Sequence, residues 1–151
     1  MKKLTKSIFI NAPVEKVWNT MLDLETYRVW TKPFCPTSYF EGNWDEGSEM
    51  RFLGADENGG GEGGMISRIK ENRRHEFVSI EHLGMIKDGV EDFDSAEVKK
   101  WSPSFENYTF EAVDGGTKVL VELDTPDEYA EMFEEMWPKA LAILKDLAEE
   151  V

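Results

Sequence analysis

The sequence predicts an α+β fold: a twisted antiparallel sheet of about six to seven strands wrapped around one long C-terminal helix, with two short helices after the first strand. Three observations carry this. Alternating stretches rich in aromatic and β-branched residues recur between Gly-, Asn- and Asp-rich turns through the middle of the chain. The last segment repeats apolar residues at helical spacing from Tyr129 to Ala148. Between the first strand and the hairpins lie two short helical segments. Hairpins leave one sheet face in need of cover, and a helix with a broad apolar stripe supplies it.

The elements follow in order. Leu4 to Ile10 alternates as a strand, and Asn11-Ala12-Pro13 ends it and opens a helix. Val14 to Leu24 places Val14, Val17, Trp18, Met21 and Leu22 on one helical face. A second short helix covers Glu25 to Trp30, and Pro33 and Pro36 close the region. Strands at Thr37 to Glu41 and Glu49 to Leu53 flank the turn-rich Gly42 to Gly47. Asp56 to Gly64 holds five of the twelve glycines, but no Gly-Lys-Ser/Thr ending follows to hold phosphate, and what comes next reads as a strand. It reads as a flexible hairpin. Met65 to Glu71 and Glu76 to His82 form a hairpin around Asn72-Arg73-Arg74, with Val78, Ile80 and His82 on one face.

Gly84 to Lys100 reads as a long, acidic, irregular loop, a candidate lid. Phe105 to Val113 and Thr117 to Asp124 form a hairpin with Gly115-Gly116 as its two-residue turn. That turn pairs Ala112 with Val119, Phe110 with Val121 and Tyr108 with Leu123, all on one buried face. The final helix starts at Thr125 or Pro126-Asp127, and Pro138 predicts a kink near Glu134 to Trp137.

Composition narrows the function classes. The chain has 151 residues, which suits one domain over residues 1–151, and a net charge of −14. An acidic chain lacks the basic face that displaces counterions from nucleic-acid phosphates, and it is repelled by anionic lipid. Single Cys35 excludes an internal disulfide and any multi-cysteine zinc site, and no apolar run is long enough to cross a membrane. The basic start, Met1 to Lys6, lacks an apolar core and is no secretory signal, so a cytoplasmic setting is expected. Eight acidic residues against two lysines lie between Asp127 and Glu150, a solvated outer helix face. The charge disfavours a polyanionic ligand unless Arg51, Arg68 or Arg73 faces a pocket.

These residues carry a resemblance. Ile10-Asn11-Ala12-Pro13-Val14-Glu15-Lys16-Val17-Trp18, Phe40-Glu41-Gly42-Asn43-Trp44-Asp45-Glu46-Gly47, Gly115-Gly116-Thr117-Lys118-Val119 and Met136-Trp137-Pro138-Lys139-Ala140-Leu141 resemble the helix-grip superfamily of START-like and Bet v 1-like (SRPBCC) proteins. More narrowly, the chain resembles the branch homologous to the C-terminal domain of the activator of Hsp90 ATPase. The resemblance implies a β-α-α-β6-α order and a hydrophobic pocket under the last helix. It implies no single activity.

Candidate chemistry concentrates in that pocket. Trp30, Phe52, Trp101, Tyr108, Phe110, Phe133 and Trp137 are candidate lining residues for a small hydrophobic molecule; Trp101 borders the candidate lid, and Phe133 and Trp137 lie one turn apart on the gripping helix. His82 reads either as a hydrogen-bonded or solvated histidine at a strand end, or as a polar anchor or general base in the pocket. His75-Glu76-Phe77-Val78-Ser79 falls short of a zinc-protease helix, no frame of Asp88 to Glu97 fits a calcium loop, and no Gly-x-Ser-x-Gly elbow occurs. No cofactor or metal is called for. A carrier or sensor of a small hydrophobic molecule is the leading expectation. A cyclase- or hydrolase-like enzyme using His82, Tyr108 or Glu106 is the alternative. A co-chaperone-like interaction module is the third, although the N-terminal domain of the eukaryotic activator has no counterpart at the start of this chain.

Overall fold

The computed structural model describes residues 1–55 and 62–150. Of the flexible-hairpin reading of Asp56 to Gly64, residues 56–61 lie outside the described residues, and Glu62, Gly63 and Gly64 instead open a strand. β1 (Lys2–Ile10) alternates as its sequence dictates, with Leu4 and Ile10 buried and Thr5, Ser7 and Phe9 outward. α1 (Val14–Leu22) buries Val17, Trp18, Met21 and Leu22 and starts after Pro13 at its N-cap. It ends two residues earlier than its apolar pattern suggests. Asp23 is extended there, closing α1 and capping α2 (Leu24–Trp30) at once, in keeping with the preference of aspartate for helix ends over interiors.

β2 (Tyr39–Gly42), β3 (Glu49–Ala55), β4 (Glu62–Arg73), β5 (Phe77–Lys87), β6 (Val90–Asp92), β7 (Ser104–Val113) and β8 (Gly116–Thr125) complete the strands. All pair antiparallel, in the order β1-β8-β7-β5-β4-β3-β2, with β6 added beside β5. The stretch Gly84 to Lys100 is therefore not one irregular loop. Asp88 and Gly89 have φ of 52° and 77°, the pattern of a tight hairpin turn between β5 and β6. α3 (Ala96–Lys99) follows, capped by Ser95, whose Oγ accepts the Val98 N–H at 3.2 Å.

The β7–β8 turn also differs from expectation. It is Asp114-Gly115, with φ of 49° and 81°, and it pairs Val113 with Gly116, Phe110 with Val119 and Tyr108 with Val121. The register moves by two residues, so the faces are kept: Tyr108, Phe110, Val119, Val121 and Leu123 are buried, while Ala112 at the far end is exposed. Gly116 is needed in the strand instead, because a Cβ there would come within 2.6 Å of the Ile10 carbonyl oxygen and of the Phe9 ring.

α4 (Asp127–Glu149) continues through Pro138 and buries Ala130, Trp137, Ala140, Leu141, Leu144 and Ala148. It packs on β1, α1 and α2. Its C-terminal half is fastened to the β1–α1 corner: the Asn11 N–H donates to Glu149 Oε2 at 2.8 Å, and Lys145 Nζ donates to the Phe9 carbonyl at 3.1 Å. Its first turns are less covered. Tyr129 and Met132, within the apolar stripe, are 43% and 40% exposed. Among the described residues no helix is long and apolar enough to cross a membrane.

Candidate functional site

A cavity of ≈ 460 Å³ lies between the sheet and the first half of α4. α2 supplies Tyr27 and Trp30, the following loop Phe34, β3 Phe52, and α4 Phe133 and Trp137. Their rings pack mutually. Phe34 meets Trp137 edge-on at 4.9 Å between centroids, Trp30 meets Trp137 at 5.9 Å, and Tyr108 meets Trp137 at 6.2 Å. Such offset and edge contacts hold large rings at defined angles, which stiffens the wall. Trp30 is fixed further by its Nε1–H, which donates to the Met21 carbonyl at 3.0 Å. Trp137 Nε1 is buried without a hydrogen-bond partner among the described residues, an uncommon state for an indole N–H.

Of the expected lining residues, Trp30, Phe52, His82, Trp101, Tyr108, Phe133 and Trp137 all border this cavity. Phe110 does not. It lies on the same face of β7 but one pair further along, packed edge-on against Trp18 at 5.0 Å in the core under α1. Alternation on a strand gives the face, not the depth at which the cavity ends.

A row of polar side chains crosses the sheet at the cavity floor. Ser67 Oγ lies 2.7 Å from His82 Nδ1, His82 Nε2 lies 3.1 Å from Glu106 Oε1, and the Tyr108 hydroxyl donates to Glu106 Oε2. The donor directions follow from the acceptors. An ionised carboxylate only accepts, so His82 Nε2–H and Tyr108 O–H both point at Glu106; in the neutral ring Nδ1 then accepts the Ser67 hydroxyl proton. Burial and the Glu106 charge push the Tyr108 phenol well above its ordinary value, and burial with the same charge raises Tyr27. Both phenols therefore stay protonated donors at neutral pH.

The strand geometry that builds this row has two parts. β4 and β5 change register between Ile66 and Ser67, so Leu83 bulges out and His82 sits opposite Ser67. On β7, Glu106 shares the inward face with Tyr108 two residues on. Ser67 is fully buried and does not border the cavity. The row consequently offers a substrate no serine nucleophile. It offers the edges of His82, Glu106 and Tyr108. Period-two alternation on β7 already places Glu106 inward; nothing local in the sequence marks Ser67, because the bulge sets its partner. Tyr27, Phe34 and Met85 also line the wall, and only their packing reveals it. No group of three or more His, Cys, Asp or Glu side chains among the described residues is arranged to hold a metal ion.

Residues 11–149 match the family described as Activator of Hsp90 ATPase homolog 1-like protein. No curated protein matches the chain in sequence. Among solved structures, it is similar to the Aha1 dimer from Colwellia psychrerythraea, with 20% identity over 99% of this chain and 97% of that one and a TM-score of 0.69. Protein CV1439 from Chromobacterium violaceum is similar at 17% identity over 100% of both chains, TM-score 0.71. DynU16, a protein in the dynemicin biosynthetic locus, is similar at 14% identity over 99% of this chain and 48% of that one, TM-score 0.68. At such identities the likeness is one of fold.

Proposed function

The chain belongs to the activator of Hsp90 ATPase homolog 1-like family, and from that premise we propose that it binds a small hydrophobic molecule in the cavity beneath α4, as a carrier or sensor without turnover. The cavity itself carries this reading. At ≈ 460 Å³ it lies within the range of about 300–1,000 Å³ usual for small-ligand sites, and it has the usual make-up of many apolar groups with a few convergent polar ones. The rings of Trp30, Phe34, Phe133 and Trp137 give apolar contact. The Glu106, His82 and Tyr108 edges orient a polar end. The reading treats residues 1–151 as one binding domain and places it in the cytoplasm, in keeping with Cys35 as a free thiol.

Native mass spectrometry tests it, on protein as purified and after incubation with octanol. A one-to-one adduct in either sample supports the proposal. Bare chain alone in both removes it for ligands of this class.

One observation favours a second reading, acid–base chemistry. His82 Nε2 and Glu106 Oε1 are 3.1 Å apart and both residues border the cavity. With Nδ1 on the buried Ser67 and Nε2 on Glu106, His82 has no ring nitrogen left for a substrate, so Glu106 is the acid–base group of this reading and His82 positions it. If a substrate is turned over, Glu106→Gln lowers kcat by about 10²-fold or more. Unchanged turnover in that variant removes the reading.

A further inference from the structure

The cavity is lined by aromatic rings and by carboxylates, with His82 as the one titratable nitrogen base among the described residues that border it. Glu97 from α3, Glu106 from β7 and Asp124 from β8 border it, and no lysine or arginine among the described residues does. The arginines that could have countered them are engaged elsewhere. Arg51 Nη2 lies 2.6 Å from Glu91 Oε1, Arg68 Nη2 lies 2.7 Å from Glu81 Oε1, and Arg73 Nε lies 2.6 Å from Glu71 Oε2. Asp124 is held by the Phe105 N–H, which donates to Oδ2 at 3.1 Å. Glu106 is the point on which the polar row converges, receiving Tyr108 O–H and His82 Nε2–H. Its side chain is 20% exposed, and that exposed edge belongs to the cavity lining.

Three carboxylates border the cavity against one titratable nitrogen base, His82, which lies on Glu106, and no lysine or arginine among the described residues, so the lining carries uncompensated negative charge. The cavity that Glu106 borders is also lined by Tyr27, Trp30, Trp101 and Trp137, and aromatic rings attract cations. Both features select the same chemistry. An anionic headgroup would meet like charge at close range in a medium that screens it poorly.

Resting on the proposal that this cavity binds a small hydrophobic molecule, we infer that the molecule is a hydrophobic amine, bound as its cation with the charged nitrogen at Glu106 and its apolar body between α2 and α4. The cavity discriminates against the carboxylate of the same shape.

Calorimetric titration with octylamine, octanol and octanoate at physiological salt tests this, on the wild-type chain and on Glu106→Gln and Glu131→Gln. Glutamine keeps the shape and an acceptor for one of the two donors, Tyr108 or His82, while removing the charge. Glu131 lies exposed on α4 and controls for the overall charge of −14. The expected result is octylamine binding at least about tenfold tighter than octanoate, with that ratio cut at least about fivefold by Glu106→Gln and unchanged by Glu131→Gln. A second variant, Asp124→Asn, reads the same ratio if Glu106→Gln does not fold. Octanol or octanoate binding as tightly as octylamine overturns the inference and leaves the cavity proposal standing. So does an amine preference that survives Glu106→Gln, or that falls equally in Glu131→Gln, since overall charge then accounts for it. Binding of none of the three removes the cavity proposal for this ligand size.

Discussion

At the scale of single residues, the row Ser67–His82–Glu106–Tyr108 decides the chemistry of the site. Ser67 is fully buried and its hydroxyl is 2.7 Å from His82 Nδ1. Removing it leaves a buried ring nitrogen without a partner, so Ser67→Ala should cost about 1–3 kcal/mol in urea denaturation. A change within error would show that the contact contributes nothing. Tyr108 gives a pH prediction. Burial, then the Glu106 charge, raise its phenol. A group whose folded value is raised contributes stability that is fully present below its unfolded value, near pH 10, and is lost as pH climbs through the folded value. Denaturation followed between pH 9 and 12 should therefore show a steeper loss of stability in wild type than in Tyr108→Phe. Equal slopes would contradict the assignment. Part of this row could be read in advance: His82 and Tyr108 share faces with apolar neighbours, and Glu106 follows by alternation. Ser67 could not be read, because a one-residue bulge at Leu83 decides what it faces.

At the scale of elements, turns and helix ends fix what the apolar pattern leaves open. The pattern of β7 and β8 gives their inward faces correctly in either register, since a shift of two residues preserves them. Choosing between registers needs the turn, and the Asp114-Gly115 turn is set by the third strand, β1, pressing on Gly116. Gly115→Ala places a side chain at φ 81° with open space around it and should cost about 1 kcal/mol. Gly116→Ala drives a Cβ to 2.6 Å from the Ile10 carbonyl oxygen and should cost more, about 1–3 kcal/mol. Urea midpoints of the two variants check the order, and the reverse order would favour Gly115-Gly116 as the turn. The same Asp-Gly signal at Asp88-Gly89 marks the β5–β6 hairpin, where acidic composition alone suggests a loop. The far end of α4 makes an acid-side prediction. Lys145, then the Asn11 N–H, lower the Glu149 carboxyl. Its contribution is present above the ordinary carboxylate value and fades as pH falls through the lowered one. Glu149→Gln should lower the melting temperature at pH 7 and leave the protein less sensitive to acidification between pH 5 and 3 than wild type. Identical acid profiles would show that the contact is idle.

At the scale of the whole molecule, one long helix is asked to do two things. From Ala140 to Ala148 it fills the core against β1 and α1, and from Tyr129 to Trp137 it roofs a space instead. Its apolar stripe was legible throughout, and so was the sheet it grips. The division of the stripe was not, because a residue facing a cavity and a residue facing the core carry the same apolar signature. Phe110 and Trp137 illustrate this: both are buried aromatics on inward faces, and only Trp137 borders the cavity. Core and roof should respond differently to truncation. Leu144→Ala, at a fully buried position, should cost about 2–5 kcal/mol, and a cost below about 1 kcal/mol would place Leu144 outside the core.

The central claim is that a hydrophobic ligand enters between α2, α4 and the sheet. The five tryptophans are placed to report it by NMR through their indole N–H signals during titration with octylamine. Trp30, Trp101 and Trp137 border the cavity. Trp18 packs against Phe110 and His75, and the Trp44 Nε1–H donates to the Leu22 carbonyl at 2.9 Å. The account predicts that the signals of Trp30, Trp101 and Trp137 move in a saturable way, and furthest, while that of Trp18 stays in place. No saturable movement, or movement led by Trp18, would contradict it.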